Sequence, residues 1–433
     1  MTIEKEFAKD LIRFIDNSKS SFHAVVETKK YLTENGFNEV KLEEKWKLEK
    51  GGKYFTTKNN SALVAFVVGE KNLTETGFRL VGAHTDSPGF RIKPNPEITA
   101  DNRYLKLNTE VYGGAILNTW FDRPLSIAGR VSVKGENPLE PKEMLVDLEK
   151  PMLIIPNLAI HMNREVNEGF KFNPQLHTLP ILSMINDEFE KENYLVKLIA
   201  KDLGIDEKDI LDFELYLYAT EKGSLVGLNE EFISIGKLDD LAMVHAEMNA
   251  LANAKNKNAT NVAIAFDNEE VGSKTKQGAG SPFVKDILKR IALCEGLDEE
   301  EFLIALEKSF LISADLAHAK HPNFQEKSDP TNIPVINEGP AIKIAANQAY
   351  TTDSTSAAIY EGICAAANVP VQKFVNRSDL KGGSTIGPIS SSQLPIRSVD
   401  IGGPILGMHS VRELGGVLDH HYVYKSFLEF YNL

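Results

Sequence analysis

Three short apolar runs, each ended by polar residues, are the clearest feature in the pattern of hydrophobic and polar positions. They occupy residues 78–83, 262–266 and 310–314. Near-continuous apolar runs of this length are typical of strands buried on both faces of a mostly parallel sheet. Residues 241–254 and 354–367 instead have helical spacing. The pattern therefore predicts an α/β fold with a central mixed, mostly parallel sheet flanked by helices.

The segment between the first run and the later ones has a different pattern. Residues 125–133 and 213–218 form alternating or β-rich runs, as expected of strands in a half-buried sheet. The polar residues that end the apolar runs lie outside this segment. We therefore predict a discontinuous domain of residues 1–95 and 232–433, which carries the chemistry, and an inserted β-rich assembly domain of residues 96–231.

Histidines and acids stand where the apolar runs stop and at the start of the helical pattern. They lie in Ala83-His84-Thr85-Asp86, Leu238-Asp239-Asp240, Asp267-Asn268-Glu269-Glu270, Ser313-Ala314-Asp315 and Met408-His409-Ser410. An acid after a strand often caps a helix or turn, and for each acid alone this interpretation stays open. In open α/β sheets, however, ligands bind beyond the carboxyl ends of the strands, so such residues are expected to converge there.

The spacing of these residues suggests which side chains bind metal, which orient a ligand and which transfer a proton. His84 and Asp86 stand two apart, so in an extended segment they lie on one side, where Asp86 can orient the imidazole. Glu269 and Glu270 are adjacent and diverge in an extended loop, so one can bind metal while the other handles a proton. Asp239, at the start of a helical pattern, is the candidate bridge between two metal ions.

The resulting prediction is a site for two divalent ions. Imidazoles with carboxylates and no thiolates suit zinc, and cobalt or manganese nearly as well. With Asp239 on both ions, the remaining ligands are His84 and Asp315 for one ion and Glu270 and His409 for the other. Two such ions lower the pKa of a shared water and polarise a carbonyl, while Glu269 would act as general base and later as proton donor to the leaving amine.

Longer motifs around these residues resemble the aspartyl aminopeptidase family. They include Ala83-His84-Thr85-Asp86-Ser87-Pro88, Asp267-Asn268-Glu269-Glu270-Val271-Gly272-Ser273 and Met408-His409-Ser410-Val411-Arg412-Glu413. Further matches begin at residues 21–24, so the resemblance covers almost the whole chain. It implies the zinc exopeptidase type of fold, the same metal ligands, and removal of N-terminal residues, acidic ones in some members. It also implies assembly of twelve subunits into a tetrahedral particle.

The resemblance also implies residues that hold the substrate. A lysine after a Gly-Pro turn and a histidine from a neighbouring subunit do so in such enzymes, and the matching positions are Lys343 and His161. From the residues alone, a solvated or core-edge lysine and a satisfied core histidine remain alternatives. His318, preferred over His321, is a candidate to stabilise an oxyanion or to orient a ligand.

Three departures from the family pattern concern the substrate pocket. Asn347-Gln348-Ala349-Tyr350-Thr351-Thr352 stands where the family commonly has Asn-Gln-Arg-Tyr-Ala-Thr. A cation is therefore missing beside Tyr350, which stays a candidate substrate-binding residue. The familiar Leu-Asp-Asn is Leu238-Asp239-Asp240 here, and Lys381 lies in a loop with smaller or neutral residues in the family. The metal set is intact, whereas a preference for neutral N-terminal residues stays open.

Composition excludes several other classes of protein. A formal net charge of -13 over 433 residues disfavours general binding to nucleic acid or anionic membranes. Two cysteines, Cys294 and Cys364, cannot form a disulfide framework. The chain start lacks the pattern of a signal peptide, and no apolar stretch reaches the roughly 18 residues of a spanning helix. We therefore expect a cytoplasmic enzyme that acts on peptides and associates with itself.

The sequence thus predicts a metal-dependent aminopeptidase that prefers acidic N-terminal residues. A carboxypeptidase or deacylase could use the same metal set and differ only in how it anchors the substrate. A non-catalytic protein that keeps the scaffold is a more distant alternative, which the complete ligand set and Glu269 disfavour.

Overall fold

The computed structural model describes residues 2–185, 193–256 and 258–433. The chain forms two compact units. The first consists of Met1–Asp86, Gly223–Met408 and Glu413–Leu433, and the second of Ser87–Lys222 and His409–Arg412. The domain boundaries predicted from the sequence, near residues 95 and 232, and the assembly role of the inserted segment stay predictions.

The helices and strands are numbered along the chain. The helices are α1 Ile3–Asn17, α2 Ser21–Glu34, α3 Leu73–Thr76, α4 Pro174–His177, α5 Tyr194–Leu203, α6 Leu238–Asn253, α7 Phe283–Cys294, α8 Glu299–Glu307, α9 Ser354–Ala366, α10 Ile386–Gln393 and α11 Val417–Asn432. The strands are β1 Asn38–Glu39, β2 Lys53–Lys58, β3 Ala62–Val67, β4 Phe78–His84, β5 Gly89–Ala100, β6 Tyr104–Tyr112, β7 Leu125–Val133, β8 Lys142–Asp147, β9 Ile181–Met184, β10 Ile210–Ala219, β11 Ser224–Val226, β12 Phe232–Ile235, β13 Thr260–Phe266, β14 Phe310–Ala314, β15 Ala317–His318, β16 Ala341–Ile344, β17 Gln372–Val375, β18 Arg397–Gly402, β19 Pro404–Leu406 and β20 Glu413–Gly416.

The first unit is built on a nine-stranded sheet with the order β1-β2-β3-β13-β4-β14-β18-β16-β17. Its central strands β13, β4, β14 and β18 are parallel, whereas β3 and β16 run antiparallel to their neighbours in this group. The three apolar runs are β4, β13 and β14, and the two helical patterns are α6 and α9. The predicted α/β class with a mixed, mostly parallel sheet is confirmed.

Alternate residues of the central strands enter two different cores, as the two-residue repeat of a strand requires. Val81 and Ala263 pack in one core together with α6. Leu80 and Val262 pack in the other core, together with α7 and α8. Helices therefore cover both faces of the sheet, which explains why its strands are apolar at nearly every position.

Two further sheets complete the fold. The first unit also contains a five-stranded sheet of order β11-β12-β20-β19-β15. The second unit has a six-stranded antiparallel sheet of order β8-β7-β10-β5-β6-β9 around its own core. The predicted β-rich runs are confirmed as β7 and as part of β10. Within the described ranges, no helix is both long enough and apolar enough to cross a membrane.

A chain of polar side chains, of which His245 and His420 are buried, joins α1, α6 and α11 on one side of the large sheet. His245 Nε2 lies 3.1 Å from the carboxylate of Asp10, and His245 Nδ1 lies 3.0 Å from His420 Nε2. Because an ionised carboxylate only accepts, His245 donates from Nε2 and accepts at Nδ1 from His420. Phe7 stacks on the His420 ring with 4.8 Å between ring centroids. Burial holds the pKa of His420 well below its usual value.

His420 should make the folded protein sensitive to mild acid. Its pKa is lower in the folded than in the unfolded chain, so its stabilising effect is present above about pH 6.5 and is lost as the pH falls below that value. We expect His420→Phe to lose less stability than the parent between about pH 7.5 and 5.5, by at most about 1.4 kcal/mol per pH unit. Calorimetric Tm values at each pH measure the difference.

The comparison needs a control because other groups near His420 also titrate. These groups include His245 of α6, Asp10 and Glu4 of α1, and His421 and Lys425 of α11. His177→Phe, which changes an exposed histidine of the second unit, should keep the parent's pH dependence. An equal pH dependence in His420→Phe and the parent would contradict this role of His420.

Candidate metal centre

The candidate ligands lie at the carboxyl ends of neighbouring parallel strands. His84 is the last residue of β4 and pairs in register with Phe266, the last residue of β13. Asp315 directly follows β14, which lies on the other side of β4. Since these strands are parallel, their polar ends meet at one edge of the sheet. The start of α6 brings Asp239 to the same place, with its backbone still outside the helical range.

Four buried side chains form the centre of this site. His84, Asp239, Asp240 and Asp315 each offer a ligand atom, and these atoms all lie within 4.8 Å of one another. His84 Nε2 is 3.4 Å from Asp239 Oδ1 and 3.9 Å from Asp240 Oδ2. His84 also groups in the same way with the partly buried Glu269 and Glu270. The structure therefore brings together five of the predicted residues and adds Asp240.

Burial and mutual repulsion make this cluster unfavourable when its carboxylates are ionised. Burial raises the pKa of Asp240 and Glu270 well above the usual value and that of Glu269 to about 8, and the neighbouring carboxylates add to each shift. Burial also raises the pKa of Asp315, against the effect of Lys343. Although burial alone would lower the pKa of His84, the surrounding carboxylates, led by Asp240, raise it well above the usual value.

A divalent cation fits this donor set. An imidazole nitrogen and several carboxylate oxygens, with no thiolate among them, are ligands of zinc and of similar metals. A bound cation would also offset the repulsion between carboxylates that are buried so close together. The chemistry of the side chains and their spacing therefore both favour a metal centre.

Asp86 orients the residues around His84. Its Oδ1 and Oδ2 accept hydrogen bonds from the backbone N–H groups of Glu269 and Glu270, at 3.0 and 3.1 Å. His84 Nδ1 lies 3.0 Å from the backbone carbonyl oxygen of Asp86 and 3.4 Å from its Oδ1. With Nδ1 directed at these oxygens, Nε2 is left to face the cluster. The sequence suggested the carboxylate of Asp86 for this contact, whereas the nearer acceptor is its carbonyl oxygen.

The predicted extended loop at Glu269 and Glu270 is wrong. These residues lie in the 3-10 turn Glu269–Val271, which follows Asn268 in a left-handed conformation with φ 62°. The Asn268 side-chain oxygen accepts hydrogen bonds from Thr275 Oγ1 at 2.9 Å and Gln277 Nε2 at 2.8 Å, which holds the turn in place. Long-range contacts of this kind leave no signal in the local sequence pattern.

Two acidic residues of the site received no role from the sequence. Asp240 is fully buried, and its Oδ2 accepts a hydrogen bond from the His84 backbone N–H at 3.1 Å. Glu413 accepts one from the Asp239 backbone N–H, also at 3.1 Å, and thereby holds the start of α6. Both residues belong to the sequence motifs from which the site was predicted. Their partners are distant in sequence, however, so spacing gave no reason to assign them.

Lys343 is buried and lies against one of the candidate ligands. Its Nζ is 3.5 Å from Asp315 Oδ2 and 5.6 Å from the centre of the Tyr350 ring. Burial would lower the pKa of Lys343, but Asp315 and the other negative groups around it together outweigh burial and raise the pKa. The solvated alternative is therefore wrong. Its partner Asp315 is distant in sequence, and strand β16 places Lys343 beside this residue at the end of β14.

The remaining predicted residues are His318, which is exposed, and two histidines of the second unit. His318, in β15, is exposed, and its ring edge packs against Phe374 with 5.8 Å between ring centroids. His161 is exposed in the 3-10 helix Ile160–Met162 of the second unit, so the satisfied core histidine is wrong. His409 belongs to the second unit, where its Nδ1 lies 3.2 Å from the Gly114 carbonyl oxygen. Its role as a ligand stays a prediction.

Known proteins with similar sequences and folds are described as aminopeptidases. A family model described as aminopeptidase I zinc metalloprotease (M18) matches residues 14–431. The chain is 61% identical to the probable M18 family aminopeptidase 2 of Clostridium acetobutylicum, over 100% of both chains. An M18 aminopeptidase structure from Thermotoga maritima matches with TM-score 0.87 at 27% identity, covering 99% of this chain and 96% of that one. The S. cerevisiae mApe1 dodecamer matches with TM-score 0.85 at 27% identity, covering 98% and 95%.

Proposed function

Because the chain belongs to the M18 family of aminopeptidase I zinc metalloproteases, we propose that its buried cluster hydrolyses the first peptide bond of a peptide by two-metal catalysis. Membership makes the protein a metal-dependent aminopeptidase and a peptide hydrolase. It therefore favours an aminopeptidase over the carboxypeptidase, deacylase and non-catalytic alternatives. The observation that carries the mechanism is the convergence of His84, Asp239 and Asp315, with Asp240, on a space small enough for metal ions.

The proposed ligand set follows the sequence assignment. Asp239 would hold both ions, and the other ligands are His84 and Asp315 for one ion and Glu270 and His409 for the other. The distances within the cluster support Asp239, His84 and Asp315. Glu270 groups with His84 at similar distances, and His409 is carried over from the sequence assignment. When bound, such ions supply Lewis acidity, which lowers the pKa of water and polarises a carbonyl. Zinc is the proposed metal, with cobalt and manganese as alternatives.

Glu269 is the proposed general base. It groups with His84 and Glu270 in space, and its backbone is held by Asp86, so its carboxylate has a defined position. As a water oxygen attacks the carbonyl carbon, Glu269 would take the water proton. When the carbon–nitrogen bond breaks, Glu269 would pass this proton to the leaving amine nitrogen. His318 is the proposed donor to the oxyanion, and Asp86 orients both His84 and the turn that carries Glu269.

Lys343 supports a preference for an acidic N-terminal residue. It is a buried cation at the edge of the metal cluster, and Tyr350 lies beside it. An acidic substrate side chain would gain a charge-assisted hydrogen bond there. Ala349 offers no second cation, and Asp315 already balances part of the Lys343 charge. A neutral preference is therefore the alternative to test. His161 is proposed to reach the substrate from a neighbouring subunit.

A homo-oligomer, specifically a dodecamer, is the proposed assembly. The similar S. cerevisiae mApe1 was described as a dodecamer. In the second unit, Leu158, Ile160, Met162 and Leu176 are 53%, 46%, 69% and 68% exposed. Exposed apolar residues close together in a chain are typical of surfaces that another subunit covers. Cytoplasmic residence is likewise a proposal, which rests on the composition alone.

Glu269→Gln should abolish turnover without loss of metal. The amide keeps the shape of the side chain but cannot take a proton, so kcat should fall roughly 10²- to 10⁴-fold. Metal analysis beside the assay of an aminoacyl p-nitroanilide checks both properties. The adjacent Glu270→Gln is the matched control, because removal of a ligand should lower the zinc content as well. Parent-like turnover in Glu269→Gln would rule out its role as base.

Lys343→Met should change the substrate preference. Methionine keeps much of the length of the side chain but removes the charge. The ratio of kcat/KM for Asp and Glu p-nitroanilides to that for Leu and Ala should therefore fall about tenfold or more, the usual size of a lost charged hydrogen bond. Lys373→Met, which changes a half-exposed lysine of β17, is the control. If the parent itself prefers Leu or Ala, the acidic preference is wrong.

The protein should form an oligomer of twelve subunits in solution. A chain of 48.0 kDa should give a particle of about twelve times that mass in analytical ultracentrifugation. Replacing Met162 and Leu176 by Asp places charges on the exposed apolar surface, so the double variant should sediment as a smaller species. A parent that sediments as a monomer at micromolar concentration would exclude the proposed assembly.

A further inference from the structure

We infer that Asp400 is a positioning residue for the substrate side of the site, acting through the backbone that carries Tyr350. Asp400 lies in β18 and is completely buried. In the parallel pairing of β14 and β18, it stands opposite Ser313, two residues before Asp315. The inference rests on the proposed function, because it assumes that Lys343 and Tyr350 contact the substrate.

Three donors from separate parts of the chain converge on this carboxylate. Ser313 Oγ and Thr385 Oγ1 donate to Asp400 Oδ1 at 2.5 and 2.7 Å. The Thr351 backbone N–H donates to Asp400 Oδ2 at 2.6 Å. A buried carboxylate that accepts from three groups orders all of them, and the removal of one such charged acceptor is expensive. Asp400 thereby ties the end of a buried strand to two loops.

The first of these loops carries Tyr350. Thr351 follows Tyr350 directly, so the hydrogen bond from its N–H limits where the Tyr350 ring can lie. Thr352 strengthens the attachment, because its Oγ1 accepts from the Asp400 backbone N–H at 2.9 Å. The Tyr350 ring in turn lies 5.6 Å from Lys343 Nζ. Asp400 therefore acts on the proposed substrate contacts without being one of them.

The second loop, residues 376–385, is attached at both of its ends. Thr385 binds Asp400 at one end, and Asn376 Nδ2 lies 3.4 Å from the Tyr350 hydroxyl at the other. Between them, Ser384 Oγ donates to the Ala349 carbonyl oxygen at 3.2 Å. Ser384 and Thr385 of the sequence Gly382-Gly383-Ser384-Thr385 thus connect this loop to the Tyr350 loop and to Asp400.

Gly387 shows how tightly the carboxylate is held. A Cβ atom at this position would lie 2.4 Å from Asp400 Oδ2 and 2.7 Å from Oδ1. No side chain fits there unless Asp400 moves. Gly387→Ala therefore disturbs the same contact from the opposite side and leaves the carboxylate itself in the protein.

Lys343 also interacts electrostatically with Asp400. Strand β16 pairs antiparallel with β18, with Ile342 opposite Ile401, so Lys343 and Asp400 follow on neighbouring strands. Lys343 thus lies close to two carboxylates, with Asp315 at 3.5 Å as the nearer measured partner. Asp315, just after β14, and Asp400, in β18, hold the Lys343 cation in place, and the Asp400 side chain also holds the Tyr350 loop.

The test combines kinetics with hydrogen exchange on the zinc-loaded enzyme. Asp400→Ala and Gly387→Ala should raise KM about ten- to a hundredfold, the effect of a lost charged hydrogen bond, and change kcat less than about threefold. Amide exchange should rise in residues 347–353 and 376–385. Asp400→Asn should raise KM less than Asp400→Ala does. Its amide oxygen can still accept from the Thr351 N–H, while the two hydroxyls turn to accept from the amide nitrogen.

Asp419→Ala is the matched control for loss of stability. Asp419 is also buried and accepts two backbone N–H groups, those of Asn337 and Gly339. Its removal should lower Tm and raise exchange near residues 337–339, with KM within about threefold of the parent. A variant with the same loss of Tm but no change in KM represents a purely structural effect.

Two results would overturn the inference, and they have different consequences for the proposed function. If exchange in residues 347–353 stays at the parent rate in Asp400→Ala and Gly387→Ala, Asp400 does not position the Tyr350 loop, and the proposed function is untouched. If exchange rises there but KM stays unchanged, the loop does not act on the substrate, and the proposed roles of Tyr350 and Lys343 fall with the inference. Higher KM together with faster exchange in both variants supports it.

Discussion

The fold places several carboxylates in a buried space where they repel one another, and the rest of the site depends on how this repulsion is balanced. His84, Asp239, Asp240 and Asp315 converge within 4.8 Å in the interior, and burial raises the pKa of Asp240 and Asp315. Lys343 balances part of the charge at Asp315. A protein gains no stability from such a cluster alone. Its cost is understandable where cations complete the site, as in a zinc metallopeptidase.

The parallel sheet allows these acids to converge without weakening the apolar packing of the strands. Both faces of β4, β13 and β14 are covered by helices, so the strands are held by apolar packing away from the polar edge. Asp315 directly follows β14, and Glu269 and Glu270 lie in the turn after β13, so these acids lie beyond the apolar strands and outside both cores. Buried acceptors outside the cluster, Asp86 and Asp400, fix the backbone around it through N–H groups of the turns. Rigid strands and anchored turns together give the side chains defined positions.

The sequence predicted those features that local patterns encode. The apolar runs gave β4, β13 and β14, and their polar ends gave His84 and Asp315, because strand ends meet at one edge whatever the rest of the fold. Contacts between distant segments had no such signal. The 3-10 turn at Glu269, the hydrogen bond from Asp239 to Glu413 and the pairing of Lys343 with Asp315 all depend on residues far apart in the chain. They became visible only in three dimensions.

The number of zinc ions bound per chain distinguishes a two-metal centre from a buried acidic cluster without metal. Metal-free protein would be incubated with zinc, freed of excess ion, and analysed by mass spectrometry for zinc per chain. Asp239→Asn would be analysed in the same way, with Asp122→Asn, which changes an exposed aspartate of the second unit, as the control. A two-metal centre bridged by Asp239 should hold about two zinc ions per chain in the parent and in the Asp122 variant, and less than one in the Asp239 variant. A parent that retains no zinc, or an Asp239 variant that keeps both ions, would contradict it.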